Sequence, residues 1–293
     1  MADWKGQSKG SVLGYKIFIF FIKYLGLRAA YGLLYFVAFY FIFSSYATSK
    51  NIYNYYHQRL GFSKMSSLTG IFSSYVQLGK TLIDRVAVTV GLRKKFTFEF
   101  DGIQHIQKII EEGKGGIIFT AHIGNFNISR SFFTEVSTEP IYINMVVTDT
   151  EHEQIKNYLN SVTGETHLKL IVVKEDMSHV FKINDAIQNN ELLVFAADRS
   201  GEGKHLKADF LGKETQFFQG PFKLAAQKKL PILFAYIMRE KNFHYHFYAR
   251  RFTPSSHSTQ EILMGYTQYL EKMVRKYPAQ WFNFYDFWKE YKS

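Results

Sequence analysis

The chain has 293 residues, with 36 Lys and Arg against 25 Asp and Glu for a formal net charge of +11; 46% of it is hydrophobic, including 29 Phe and 20 Tyr. That is enough for one sizeable core plus an appendage, and the basic balance favours anionic partners: phospholipid headgroups, nucleic acid or an acidic carrier protein. It contains no cysteine, which excludes disulfides, thiolate nucleophiles and thiolate zinc sites.

From Gly14 to Ala47 the sequence is strongly apolar and aromatic, and the stretch Ala29–Ala47 has no charge at all. Its length is close to the ~20 residues that a helix needs to cross a bilayer. The preceding segment, Tyr15–Leu27, carries Lys16 and Lys23 and is short for a crossing, so the two read as one span or as a helical hairpin lying in one leaflet. An ordinary buried helix is the alternative. Lys5, Lys9, Lys16, Lys23 and Arg28 favour a cytoplasmic amino terminus, while Lys50, Arg59 and Lys64 on the far side leave the orientation open. Ser45-Tyr46-Ala47 has cleavage-site spacing, but the long basic lead and the aromatic run fit a retained anchor better than a secretory signal. The expected organisation is an anchor over residues 1–50, a helical membrane-proximal segment over 51–95 and an α/β domain over 96–293. In the middle segment Tyr53, Tyr55, Tyr56, Phe62, Phe72 and Tyr75 supply an apolar face, and Arg93-Lys94-Lys95 is a solvated edge or a contact with an anionic membrane surface.

Beyond Phe96 the pattern alternates. Strands are expected at 96–100, 116–120, 140–147, 168–173, 192–196, 232–238 and 243–249. Helices are expected at 103–111, from Ile123 onward, and at 151–163, 178–190, 220–229 and 259–277. Alternation of this length predicts one α/β domain with a largely parallel mixed sheet flanked by helices. There is no internal repeat and no low-complexity linker.

Two strands end in polar turns. The first is Gly116-Ile117-Ile118-Phe119-Thr120, followed by Ala121-His122-Ile123-Gly124-Asn125-Phe126-Asn127; the second is Leu193-Val194-Phe195-Ala196, followed by Ala197-Asp198-Arg199-Ser200. A strand that delivers a histidine into a turn is how α/β proteins place reactive groups at the carboxyl edge of a sheet. A hydrogen-bonded loop histidine, and a structural Asp198–Arg199 ion pair, are the plainer readings of the same residues. Downstream, Gly220-Pro221 opens a helix whose first N–H groups are free.

In this order the blocks resemble the bacterial lipid A late acyltransferase family, within the lysophospholipid acyltransferase superfamily. The residues that carry the resemblance are Ala121–Asn127, Ala196–Ser200, Asp209-Phe210-Leu211-Gly212-Lys213 with Gly220-Pro221 and Leu224-Ala225, and the terminal Tyr277-Pro278-Ala279-Gln280-Trp281-Phe282. The resemblance covers nearly the whole chain. It implies a glycerol-3-phosphate-acyltransferase-like fold and transfer of a fatty acyl chain from acyl carrier protein, or acyl-CoA, to a membrane lipid at the cytoplasmic face of a bacterial inner membrane. No cofactor is implied. His122 is then the general base, with Asn127, Asp198 and Arg199 as catalytic partners. Gly124, Asn125, Phe126, Gly220 and Lys223 are substrate-binding candidates. An acceptor hydroxyl needs a base as it attacks the thioester, and the oxyanion that forms needs fixed donors, from N–H groups of the Gly124 turn or the Arg199 guanidinium. Lys204, Lys207, Lys223, Lys228 and Lys229 are candidate contacts for a phosphate or an acidic carrier, or ordinary solvated surface.

One position departs from the pattern. Five residues after its histidine the family has Asp or Glu, and this chain has Asn127. Asparagine can accept the hydrogen bond of the far imidazole nitrogen but offers no countercharge. Neutralising the Asp of a Ser-His-Asp triad costs about 10⁴ in rate, whereas papain-like Cys-His-Asn sites work with asparagine. Three readings follow: a working variant, with an amine or another glycolipid or aminolipid as acceptor; a different carboxylate that supplies the charge; or a protein that binds acyl lipid without turning it over.

Other constellations carry less. Thr148–Glu153 reads as a capped helix start. His244 and His246 share a strand face, but no third ligand is evident and no metal site is expected. There is no nucleotide-type glycine loop, and the apolar amino terminus argues against nucleic acid as a partner.

Overall fold

The computed structural model describes residues 17–131, 142–147, 168–199 and 203–289. The chain divides into two units, the first taking in 17–96 and 278–285 and the second most of the remainder.

The first unit is helical. Helix α1 (Leu27–Ser44) is the one described helix long and apolar enough to cross a membrane. It stops short of the end of the charge-free run, because Ser45 leaves helical geometry (φ −125°, ψ 53°) before α2 (Tyr46–Asn54) begins. Helix α3 (Lys64–Ala87) starts on Ser63, whose hydroxyl accepts from the Ser66 N–H. Gly79 lets α1 and α3 approach: a Cβ there would lie 2.1 Å from Cδ1 of Leu34. The hydroxyl of Tyr31 on α1 donates to the buried Asp84 on α3. Phe36, Phe39, Tyr40 and Phe43 on α1 remain exposed.

The carboxyl-terminal Pro278–Phe282 block also belongs to this unit. Tyr55 donates to the carbonyl of Pro278 (3.0 Å), its ring lies 5.2 Å from that of Trp281, and Trp281 and Gln280 are buried.

The second unit holds a seven-stranded sheet: β1 (Thr97–Asp101), β2 (Gly116–Thr120), β3 (Ile143–Val147), β4 (Leu168–Val172), β5 (Leu192–Ala196), β8 (Ile232–Arg239) and β9 (His244–Phe252), in the order β1-β9-β8-β2-β5-β3-β4. Every pairing is parallel except β8 with β9. This is the largely parallel mixed sheet that the alternation predicts. Strand β2 is central, and all five of its residues are buried, as a strand covered on both faces requires. Helices α4 (Ile103–Glu111), α5 (Ser178–Gln188), α6 (Gly220–Lys228) and α7 (Thr259–Lys276) flank the sheet.

Two expectations need correction. Residues 205–218, for which the alternation predicts no element, carry an antiparallel hairpin, β6 (His205–Phe210) and β7 (Lys213–Phe218). Its period-2 burial (Ala208 and Phe210, Thr215 and Phe217) and its two-residue Leu211-Gly212 turn, with both residues at positive φ, are a hairpin signature. The helix expected from Ile123 onward is, in the described residues, a short 3₁₀ turn, Phe126–Ser131, for reasons given below. The elements expected at 140–141 and 151–163 lie outside the described residues.

The core centres on Phe119 of β2. Its ring stacks on Phe222 of α6 at 5.0 Å and 7°, and packs against Tyr266 of α7 (5.8 Å) and Phe234 of β8 (6.2 Å). With Phe119 wholly buried, Phe119→Ala is expected to cost about 3–5 kcal/mol of stability. A denaturation series showing less than about 1 kcal/mol would move the centre of the core elsewhere.

Candidate active site

Strands β2 and β5 lie side by side and parallel, with Thr120 opposite Ala196. The two polar turns that follow them therefore leave the same edge of the sheet at adjacent positions. The N–H of Ala197 donates to the carbonyl of Thr120 (3.1 Å), which ties the second turn to the end of the first strand. Tyr266 donates to the same carbonyl from α7 (2.9 Å).

The result is a joined pair. Nδ1 of His122 lies 2.7 Å from Oδ1 of Asp198, and the backbone N–H of His122 lies 3.0 Å from both carboxylate oxygens. Asp198 is fully buried, while the His122 side chain keeps 32% of its surface exposed. A carboxylate only accepts, so Nδ1 carries the proton and Nε2 is left with the lone pair.

Electrostatics reinforce this arrangement. Burial opposes the charge of Asp198, but His122, Arg199 and the hydrogen bonds from His122 outweigh it and hold the carboxyl below its usual range. His122 is lowered from its ordinary value, first by loss of hydration and then by the nearby Arg199 charge, with Asp198 pulling the other way. The imidazole is thus neutral at neutral pH while its partner is charged.

The Ile123–Phe126 turn is clamped from the far side. Gly124 sits at φ 61°, and a Cβ there would come within 2.1 Å of the Ile237 carbonyl oxygen on β8, so both the conformation and the close approach require glycine. The N–H of Asn125 donates to that carbonyl (2.8 Å), and its side-chain amide donates to the hydroxyl of Tyr245 on β9 (3.1 Å). These bonds hold residues 124 and 125 out of helical register, which is why helical turns begin only at Phe126. Asn125 and Phe126 are buried, which gives them a supporting place in the turn.

The remaining predicted residues divide as follows. Arg199 follows Asp198, and its charge acts on both members of the pair. Asn127 has its backbone in the Phe126–Ser131 turn, and its side chain lies outside the described part of the structure. Gly220 and the exposed Lys223 open α6, which leads into β8, a strand parallel to β2. The start of α6 therefore lies on the same sheet edge as His122.

Tyr236 carries little sequence signal of its own because it sits within the apolar run Ile232–Met238 of β8. It is fully buried with no hydrogen-bond partner for its hydroxyl, and burial and the Asp198 charge push its ionisation far up. A lone hydroxyl among the apolar side chains of Ile232–Met238 was its only signal.

His244 and His246 do share a strand face. The register of β1 with β9 brings Glu99 opposite His246, with an oxygen 3.7 Å from one ring and 3.6 Å from the other. Among the described residues no group of three or more His, Cys, Asp or Glu is arranged to hold a metal ion.

No curated protein matches the chain at a significant level. The profile of the family described as bacterial lipid A biosynthesis acyltransferase matches residues 74–290, a span that includes every strand of the sheet, His122 and Asp198. The block order read from the sequence and this match over most of the chain agree: the protein belongs to the bacterial lipid A biosynthesis acyltransferase family.

Proposed function

We propose that the protein moves a fatty acyl chain from the thioester of acyl carrier protein or CoA to a hydroxyl or amine of a lipid A-type or related glycolipid or aminolipid. His122 is the general base and Asp198 the carboxylate that orients and charges it. The observation that carries this reading is the His122–Asp198 pair at the end of two adjacent parallel strands. It supports the second of the three readings of Asn127: the charge comes from a different carboxylate.

In the proposed step, Nε2 of His122 accepts the acceptor proton as oxygen or nitrogen attacks the thioester carbonyl. The new bond to the acyl carbon forms, the carbon–sulfur bond breaks, and the departing thiolate takes the proton from the imidazolium. Asp198 offsets the positive charge while it lasts. The Arg199 guanidinium, or N–H groups of the Gly124 turn, would meet the oxyanion. Alpha1 would hold the protein at the inner membrane, with the second unit on the cytoplasmic side, where both thioester donors are made available.

The deciding assay supplies radiolabelled acyl carrier protein thioester and a total lipid extract to membranes that carry the wild-type chain or His122→Ala. A labelled lipid made by the wild type is expected to fall by about 10²–10⁴ in the variant. If the wild type makes none where another family member does, a lipid- or carrier-binding role replaces this reading.

Two variants separate the candidate carboxylates. Asp198→Asn is expected to lower the rate by up to about 10⁴, as neutralising a triad aspartate does. Asn127→Glu is expected to leave it unchanged, because Nδ1 of His122 is already engaged. A large gain from Asn127→Glu would contradict the assignment.

The pH profile gives a further check. His122 must be neutral to act, and its affinity for protons is lowered, so activity should persist below the ordinary histidine range and fail only as pH drops through the lowered value. Arg199→Gln removes one cause of that lowering, so the acid limb should move to higher pH. A limb that stays in place would show that Arg199 does not act on His122.

A further inference from the structure

The second unit hides its large apolar side chains well, with one local exception. Among its described residues only Tyr142, Met177, Val180, Phe181 and Met264 are exposed as large hydrophobics, and three of these five fall within a single turn of chain. Met177 is 57% exposed, Val180 45% and Phe181 78%. Tyr142 is covered in part by the Lys169 ammonium over its ring (4.4 Å). Single exposed hydrophobics are ordinary, but a cluster marks a contact surface.

The cluster sits at the start of α5. That helix turns Ala186 inward, with Ile183 and Ile187 half-buried; Phe181 lies off this side, and Val180, on the same stripe as Ile183 and Ile187, is exposed at the first turn. Met177 immediately precedes the helix and is exposed as well. Its backbone is left-handed (φ 60°) without being glycine, a conformation that costs about 1–2 kcal/mol in an L-residue. Asp176 secures the turn by accepting from the Ser178 N–H (2.9 Å). Lys174 and Lys182 flank the apolar side chains, and Glu175 is exposed beside Lys174.

Topology decides where this patch lies. Strand β4 is parallel to β3, β3 to β5 and β5 to β2, so the carboxyl ends of all four share one edge. His122 leaves that edge from β2 and Asp198 from β5. Helix α5 begins just after the carboxyl end of β4, on the same edge and three strands along, roughly 14 Å at the usual strand spacing.

We propose that the start of α5 is a membrane-contact element of the second unit: Met177, Val180 and Phe181 enter the interfacial layer of the bilayer, and Lys174 and Lys182 meet anionic headgroups. The occupant is a lipid surface because the patch shares its edge with the His122–Asp198 pair, in a family whose acceptor is a membrane lipid. An exposed apolar cluster is also what interfacial insertion uses, and Lys174 and Lys182 beside it are matched in number by Glu175 and Asp176. The contact would turn the reacting edge toward the bilayer. This inference rests on the proposed function for its purpose, but not for its test.

The absence of native cysteine makes the test direct. Phe181→Cys in the full chain, labelled with a polarity-sensitive fluorophore and reconstituted in phosphatidylethanolamine–phosphatidylglycerol vesicles, should show blue-shifted emission. Nitroxide lipids labelled near the headgroup should quench it. Lys114→Cys, exposed just before β2 on the opposite edge, should emit as in water and escape quenching. Water-like emission at both positions, or equal quenching at both, would overturn the proposal, whether or not the protein transfers acyl chains. As a second arm, Met177→Asp with Phe181→Asp should lower turnover about tenfold or more on acceptor in bilayers, and leave turnover on detergent-dispersed acceptor unchanged. An equal loss in both settings would place these side chains in substrate binding instead and would also overturn it.

Discussion

The contact on which the site depends is the bond between Nδ1 of His122 and the buried carboxylate of Asp198. A buried charge is costly unless it is paired and hydrogen-bonded. Asp198 meets that condition three times with one residue, through the ring and through a backbone N–H shared between its two oxygens. The same bonds fix the tautomer of the imidazole and aim its other nitrogen outward. Stability and the proposed chemistry thus make the same demand on this pair.

Everything around the pair holds those two turns in place. Strand β2 supplies His122 from the middle of the sheet, where the Phe119 cluster leaves it little freedom. The Gly124–Asn125 turn is tied down to β8 and β9, so the loop bearing the histidine is fixed on both sides of the ring. Tyr266 and Ala197 share the carbonyl of Thr120 and lock the strand end from α7 and from the neighbouring turn. Rigid support of this kind would suit the base proposed for His122. The carboxyl-terminal Pro278–Phe282 block has a different place: it is packed among the helices of the first unit, where Trp281 meets Tyr55. A block that carries the resemblance to the family is in this chain a piece of core.

Much of this was legible beforehand. Short apolar runs punctuated by Gly and polar turns marked β2, β5 and β8 almost to the residue, because buried parallel strands need uninterrupted apolar side chains. The β6–β7 hairpin has an alternation that was there to read, but its outward positions include Lys207, Asp209, Glu214 and Gln216, and that polarity masked the strand. The early helix after Ile123 was wrong for a tertiary reason. Local propensity does not know that the Ile237 carbonyl is waiting for the Asn125 N–H, and that bond, not the intrinsic preference of the segment, decides where helical turns begin.

By itself the sequence determined the alternating α/β order, the apolar amino-terminal helix, and a histidine and an aspartate each delivered into a turn after a strand. These are local properties, written in the spacing of apolar side chains and in the polar residues that end each run. Which carboxylate serves the histidine was decided by the tertiary structure. Asn127 is near His122 in the chain, and Asp198 lies 76 positions away. The order β2-β5 in the sheet makes the distant residue the neighbour, because parallel strands joined by crossovers bring together turns that no window of sequence contains.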